Sequence, residues 1–321
     1  MRCRYQLICI LLSCMFLPFM PAKAQIDYPY PVKYLSVQVE NKFLKMAFMD
    51  VEPPHPNGKN ILLLHGKNFN GYYWKDVMTF LLEAGYRVIA PDQIGWGKSD
   101  RPDIHYSFHL LARNTRVLID SLHIKQLIVM GHSMGGMLAT RYVLMYPETV
   151  EKLILEDPIG LEDYRRFIPY QPLEKLAGKE KQATPESYKK YQQTYYPVWK
   201  PAYEQYVDAQ AQDLKKSDFN EIAWANALTY EMIYEQPVCY EWPFIDAPTL
   251  LMVGELDRTV VGKDLLPEEK KNSYGQYPEL GKKTVALLPH GELIVLPGMG
   301  HIAHVQDISL FKKAVLKFLI P

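Results

Sequence analysis

Residues 127–136 read Leu-Ile-Val-Met-Gly-His-Ser-Met-Gly-Gly. Four apolar residues lead straight into Gly-x-Ser-x-Gly around Ser133, and Met-Leu-Ala-Thr-Arg-Tyr follows at 137–142. A buried strand, this pentapeptide and a helix in succession predict a sharp turn with a serine at its apex. The physical reason is crowding. Strand and helix nearly touch at such a turn, so Gly131 and Gly135, two residues either side of the serine, must lack a Cβ. The serine backbone is expected to be strained and its Oγ pushed clear. The first turn of the helix then offers free N–H groups and partial positive charge beside that oxygen. Alone, the pentapeptide is weak, since roughly one chain in ten of this length would hold it by chance with glycine near 7% of residues. Its flanks and the motifs elsewhere carry the argument.

Upstream, residues 34–39 and 43–51 read as an antiparallel pair turning at Glu40-Asn41-Lys42. Asn60-Ile61-Leu62-Leu63-Leu64 is a continuous apolar run, the mark of a strand buried on both faces. It ends in His65-Gly66-Lys67-Asn68. A helix is expected over 74–84 and a strand over 87–90, which ends at Pro91-Asp92 and opens a glycine-rich loop, Gly95-Trp96-Gly97-Lys98. Residues 110–122 form an amphipathic helix, and 126–130 the strand before Ser133. Downstream, strands are expected at 152–155, 249–253 and 292–296, with a closing helix at 310–319. Strands alternating with helices specify a parallel sheet covered on both faces. Between Ile159 and Asp246 no strand pattern appears, only helix-like stretches broken by prolines and rich in tyrosine. That segment reads as a helical lid over the strand ends. Residues 263–289 are too long for a simple connection and are expected to hold a helix of their own.

Lysine plus arginine and aspartate plus glutamate each number 36, so the formal charge is zero, and no basic stripe points to a nucleic-acid partner. The first residues read as a leader. Arg2 and Arg4 form a basic start, residues 7–20 an apolar run too short for a comfortable membrane span, and Ala22-Lys23-Ala24 a signal-peptidase site. Residues 1–24 are therefore expected to be removed, giving an exported protein, periplasmic or secreted. Cys3, Cys9 and Cys14 fall in that leader, which leaves Cys239 alone and no disulfide expected.

Taken together, these residues resemble the α/β-hydrolase superfamily over nearly all the chain beyond the leader. His65-Gly66 after the third strand, the loop from Asp92 to Pro102 after the fourth, the Gly131–Gly135 turn and Gly298-Met299-Gly300-His301 after the last strand stand in the order that superfamily uses. The resemblance implies an α/β-hydrolase fold: an eight-stranded, mostly parallel sheet with helices on both faces and a helical lid inserted after strand 6. The core would comprise residues 25–158 and 247–321, and the lid 159–246.

The resemblance also implies a triad in the order serine, acid, histidine. Ser133 is the candidate nucleophile; a serine hydroxyl near neutral pH needs a base within hydrogen-bond reach. His301, in a small-residue loop after a buried strand, is the candidate base, since an imidazole titrates near neutrality. His304 competes with it. Asp257, in Val-Gly-Glu-Leu-Asp-Arg after the seventh strand, is the candidate acid that would orient the imidazole. Asp157, after the sixth strand, is its rival. The oxyanion hole would use the backbone N–H groups of Met134 and of Lys67, with Asn68 as second choice. His65 is expected to brace that loop and His132 to pack beneath the serine. Lys67-Asn68 departs from the small or aromatic residues common there, and places a cation at the pocket edge.

A serine at the apex argues against the related branches that use aspartate there. No His/Cys/Asp cluster has metal-ligand spacing in the sequence, so neither metal nor cofactor is expected. The chemistry these residues favour is hydrolysis of a small-molecule carboxylic ester, or a short acyl amide, through an acyl-serine intermediate. Four alternatives accompany it: an iminopeptidase-like aminopeptidase using lid carboxylates (Glu162, Asp163, Glu204, Asp208, Glu231, Glu235), a carbon–carbon bond hydrolase, a cofactor-free haloperoxidase-like enzyme, and a ligand-binding protein on a hydrolase scaffold.

Overall fold

The computed structural model describes residues 27–320; the expected leader and its three cysteines lie outside them. Eight strands form one sheet: β1 Val32–Val39, β2 Lys42–Val51, β3 Asn60–Leu64, β4 Arg87–Pro91, β5 Leu127–His132, β6 Val150–Glu156, β7 Thr249–Gly254 and β8 Gly291–Leu296. Their spatial order is β1-β2-β4-β3-β5-β6-β7-β8. β1 and β2 pair antiparallel, as does β2 with β4, and the remaining pairs are parallel. Every residue of β5 and β7 is buried, which explains their unbroken apolar runs; edge strand β8 is half-exposed.

Helices α1 Lys75–Glu83, α2 Phe108–Ser121 and α3 Met134–Met145 connect the first strands. Ser107 caps α2, its hydroxyl accepting from Leu110 N–H at 3.1 Å. Between β6 and β7 lie α4 Leu173–Lys181, α5 Pro185–Gln193, α6 Glu204–Ala211 and α7 Phe219–Glu235, with short 3₁₀ turns and no strand. The stretch after β7 holds α8 Tyr277–Val285, as its length required, and this helix lies against β7 and β8. The chain ends in the short α9 Ala303–Gln306 and in α10 Ile308–Leu319, capped by Asp307.

Element types match the sequence expectations, and boundaries shift by a few residues. The helix expected from residue 74 begins as a 3₁₀ turn over Gly71–Trp74, because Asn70 caps it early through Tyr72 N–H. β5 runs two residues further than its apolar stretch, to His132, since the parallel ladder with β6 continues to His132 and Glu156. The chain passes from β3 out to β4 and returns across β3 to β5. That reversal opens a crevice at the carboxyl ends of β3 and β5, the place where sheets of this kind bind ligands. The loop 65–69 and the Ser133 turn both lie there.

Candidate active site

Ser133 sits between β5 and α3 with φ 55° and ψ −120°. A Cβ on Gly131 would stand 2.2 Å from the Gly135 carbonyl oxygen, and one on Gly135 would stand 2.0 Å from that of Leu64. The two glycines are therefore obligatory. Ser133 is nearly buried, 8% exposed, and lines a cavity of about 450 Å³.

The structure brings Ser133, His301 and Asp257 together. His301 Nε2 lies 2.9 Å from Ser133 Oγ, and His301 Nδ1 lies 2.7 Å from Asp257 Oδ2. Asp257 Oδ1 accepts from Thr259 N–H at 2.8 Å. Burial alone would raise the Asp257 carboxyl, but the His301 charge and hydrogen bond, with those from Thr259, outweigh it and hold the group below its ordinary range. An ionised Asp257 keeps a proton on Nδ1 and so leaves Nε2 free to accept from the serine hydroxyl.

Asp157 stands immediately behind this pair rather than in its place. Its Oδ1 accepts from Gly254 N–H at 2.7 Å, while Oδ2 accepts no hydrogen bond. Burial, and then the negative charges of Asp257 and Glu156, drive its carboxyl well above the ordinary range, so it is the neutral member of the two. Donor atoms of Asp157, Asp257 and His301 all lie within 4.8 Å of one another, a spacing that could suit a metal ion. The His301–Asp257 and Gly254–Asp157 hydrogen bonds already engage one atom of each group.

His304 does not reach the serine. Its Nδ1 lies 2.8 and 2.9 Å from the two Glu156 oxygens, its N–H donates to Oε1 at 2.9 Å, and its ring stacks on Trp74. His132 lies under the turn as expected, with Nδ1 3.1 Å from Tyr73 Oη and Nε2 2.8 Å from the His301 carbonyl oxygen. Burial, and then the neighbouring His301 and His304, push it well below its ordinary range, so it is neutral. His65 braces the loops as read: Gln93 N–H donates to its Nε2 at 3.1 Å.

The loop opposite the serine is a tight turn closed by Phe69 N–H to the Gly66 carbonyl at 3.1 Å. A Cβ on Gly66 would come within 3.2 Å of Ser133 Cβ, which fixes how closely the loop approaches. Gly66 N–H is taken by Tyr73 Oη at 2.9 Å. The N–H groups of Lys67 and Asn68 find no acceptor among the described residues. Met134 N–H belongs to the first turn of α3, where no helical carbonyl reaches it. Trp96 Nε1 donates to the Lys67 carbonyl at 2.6 Å, and Asn68 Nδ2 donates to Tyr195 Oη at 2.8 Å, so the loop is held from two sides.

The cavity is roofed by the helical insertion. Tyr188, Tyr191, Tyr195 and Tyr230 line it, with Lys67, Asn68 and Thr259 at its floor. Other tyrosines of the insertion, such as Tyr164, Tyr203 and Tyr206, are buried and pack. None of the six carboxylates considered for an amine substrate lines this cavity. Glu162 accepts from Gly275 N–H, Asp163 and Glu204 pair with Arg165 and Lys189, and Glu231 accepts from Tyr170 Oη.

A family model described as alpha/beta hydrolase fold matches residues 59–308. The chain belongs to the α/β-hydrolase fold family. A solved structure of a probable hydrolytic enzyme from Pseudomonas aeruginosa is 42% identical, with a TM-score of 0.90, over 92% of this chain and 96% of that one. An esterase from Exiguobacterium antarcticum aligns at 22% identity and a TM-score of 0.67, over 87% of this chain and 97% of its own, a likeness of fold alone. A putative non-heme chloroperoxidase of Synechocystis is 37% identical over 103 residues, 32% of this chain and 37% of that protein. The chain spans about a third of the length of the curated relatives it matches, 30% in the case of an uncharacterized Mycobacterium tuberculosis protein.

The residues around the serine are legible in the sequence of this chain, and those behind them are not. Glu156, Tyr73 and Tyr195 organise His304, His132 and His301, three of the four buried histidines among the described residues, yet each sits at a position where a packing or turn residue serves as well. The acidic pair Glu156-Asp157 closing an apolar strand was the available signal.

Proposed function

We propose that this hydrolase cleaves a small-molecule carboxylic ester through an acyl-serine intermediate. The observation that carries the reading is the Ser133–His301–Asp257 hydrogen-bond chain, opening on a cavity beneath the helical insertion. Ser133 Oγ attacks the carbonyl carbon while His301 Nε2 takes its proton. The tetrahedral oxyanion accepts hydrogen bonds from Met134 and Lys67 N–H. His301 returns the proton to the leaving alcohol, and water then enters by the reverse path with His301 again as base. Asp257 holds the tautomer and stabilises the imidazolium without taking the proton. The insertion serves as a lid, and residues 1–24 as a cleaved export signal.

The test is turnover of p-nitrophenyl esters of rising acyl length by the chain from Gln25 onward, beside Ser133→Ala. Loss of turnover in the variant is expected; equal turnover by both proteins sinks the reading. The match to a putative chloroperoxidase favours one second reading, in which hydrogen peroxide replaces water as acyl acceptor and releases a peracid. Halide oxidation dependent on both peroxide and a carboxylic acid would support it. Cleavage of the residue 24–25 bond on expression with its export machinery, read by N-terminal sequencing, tests the leader.

A further inference from the structure

Lys67 stands where two cavities meet. One is the Ser133 cavity of about 450 Å³; the other, of about 110 Å³, is lined by Lys98, Arg101 and Lys216, and shares Lys67 and Asn68 with the first. The two differ in character. Both carry aromatic rings and cations, but the lining of the first is mostly apolar and that of the second mostly polar. Lysines and arginines along both walls outnumber carboxylates two to one, six against three, on a chain whose formal charge is zero.

Most of these charges are matched. Arg101 and Lys216 share Asp213 at 2.7 and 2.8 Å, and Lys179 pairs with Asp264 at 2.7 Å. Lys98 Nζ lies 4.5 Å from the Tyr28 ring centroid. Two of the six have no ion pair, hydrogen bond or ring contact from the ammonium among the described residues: Lys175, which is exposed, and Lys67, which is half-buried at the junction. Glu180 lines the same cavity but is engaged by Asn226 Nδ2 at 3.3 Å. Burial pushes the Lys67 ammonium down, with the Glu180 charge acting against this. A half-buried cation on the cavity that holds the serine, with no protein partner, is costly to keep unless a ligand completes it.

We infer that Lys67 reads a carboxylate on the substrate, so that the preferred esters carry an apolar or aromatic body along the tyrosines and an acid group at the junction of the two cavities. This specificity rests on the acyl-serine reading above. It also explains why the oxyanion-side loop carries Lys67 where a small side chain would serve the backbone role equally well.

The experiment compares mono-p-nitrophenyl glutarate with p-nitrophenyl butyrate on wild type, Lys67→Met and Lys67→Arg. The readout is the ratio of kcat/KM for the acidic over the neutral ester, in which any shared loss from a disturbed loop cancels. Wild type should favour the acidic ester by at least about tenfold, the scale of one charge-assisted hydrogen bond. Lys67→Met should erase that preference and Lys67→Arg should keep most of it. No preference in wild type, or one intact in Lys67→Met, overturns the inference. A second arm needs no turnover: calorimetric binding of 4-phenylbutyrate and 4-phenylbutanamide to Ser133→Ala, with and without Lys67→Met. Tighter binding of the acid that disappears with Lys67→Met sustains the inference even if no ester is cleaved, an outcome that would remove only the esterase reading. Equal binding of acid and amide overturns it.

Discussion

Asp157 and Asp257 can be told apart by the pH dependence of stability. Both carboxyls are buried within a few ångströms of His301, and burial penalises a second charge there. Asp257 is held low by His301 and Thr259, so the proton resides on Asp157, whose carboxyl is raised well above 3.8. The perturbation is Asp157→Asn. It keeps a carbonyl oxygen for Gly254 N–H and keeps the group neutral, so the folded state changes little. The unfolded state differs: there Asp157 loses its proton as the pH passes its ordinary value. Above that value and below the raised folded pKa, the native wild type therefore binds one more proton than its unfolded chain. Its stability from this group falls as pH rises, by about 1.4 kcal/mol per pH unit. The variant has no such loss. Contributions from Asp257 have the opposite sign but are common to both proteins and cancel in the difference.

Urea unfolding of wild type and Asp157→Asn at about pH 5 and pH 6 should show the difference moving in favour of the variant by about 1.4 kcal/mol. Ester turnover supplies the second reading. Asp157→Asn should retain kcat/KM within about tenfold, whereas Asp257→Asn should lose a factor of about 10³–10⁴, as expected when the imidazole is left in the wrong tautomer. A stability difference that does not change with pH would show Asp157 ionised in the fold. Reversed kinetic losses would make Asp157 the orienting acid. Either result refutes the assignment.

Ser133→Gly should abolish ester turnover yet raise stability by about 1 kcal/mol, because glycine relieves the positive φ at the turn; a thermal melt showing destabilisation would count against strain there. His304→Leu should lower Tm by about 10 °C, since it strips the imidazole from the buried Glu156 carboxylate, a loss worth about 3–5 kcal/mol. Loss of turnover at unchanged Tm would instead make His304 the base. Tyr195→Phe should lower kcat/KM by about tenfold, the scale of the one hydrogen bond lost to Asn68, with Tm nearly unchanged; an unchanged rate would show that the loop needs no such support.

The fold was legible because buried parallel strands advertise themselves. β3, β5 and β7 are apolar runs ended by glycine or histidine. Ser133 and Asp257 were legible because each follows such a strand, and His301 because it follows the apolar run of edge strand β8 in a loop of small residues. What could not be read is how side chains divide labour at close range. Asp157 and Asp257 each follow a strand, and the sequence does not state which faces the imidazole. The decision lies in Thr259 N–H reaching one and Gly254 N–H the other. His304 and His301 differ by three residues, and only the Glu156 side chain separates their roles. Likewise the tyrosines of the insertion look alike in sequence, yet four line the cavity and others pack beneath it.

Tyr195 shows why the insertion cannot be treated as a detachable cover. Its carbonyl accepts from His301 N–H at 2.8 Å, and its ring lies 4.9 Å from the imidazole centroid. Its hydroxyl accepts from Asn68 in the loop across the cavity. A Cβ on Gly300 would stand 2.3 Å from the Tyr195 carbonyl oxygen, so the glycine before His301 exists to admit this contact. One residue of the insertion thus supports both the base and the oxyanion-side loop. A motion that carried Tyr195 outward would strand His301 N–H and release Asn68 together, dismantling the chemistry as it opened the cavity. α4, whose Lys175, Leu176 and Lys179 line the cavity, makes no hydrogen bond to His301 or Asn68 among the described residues, so displacing it would leave these two contacts in place. Aromatic contacts reinforce this junction: the Tyr195 ring centroid lies 6.2 Å from that of Phe69 in the body and 5.4 Å from that of Tyr191 within the insertion.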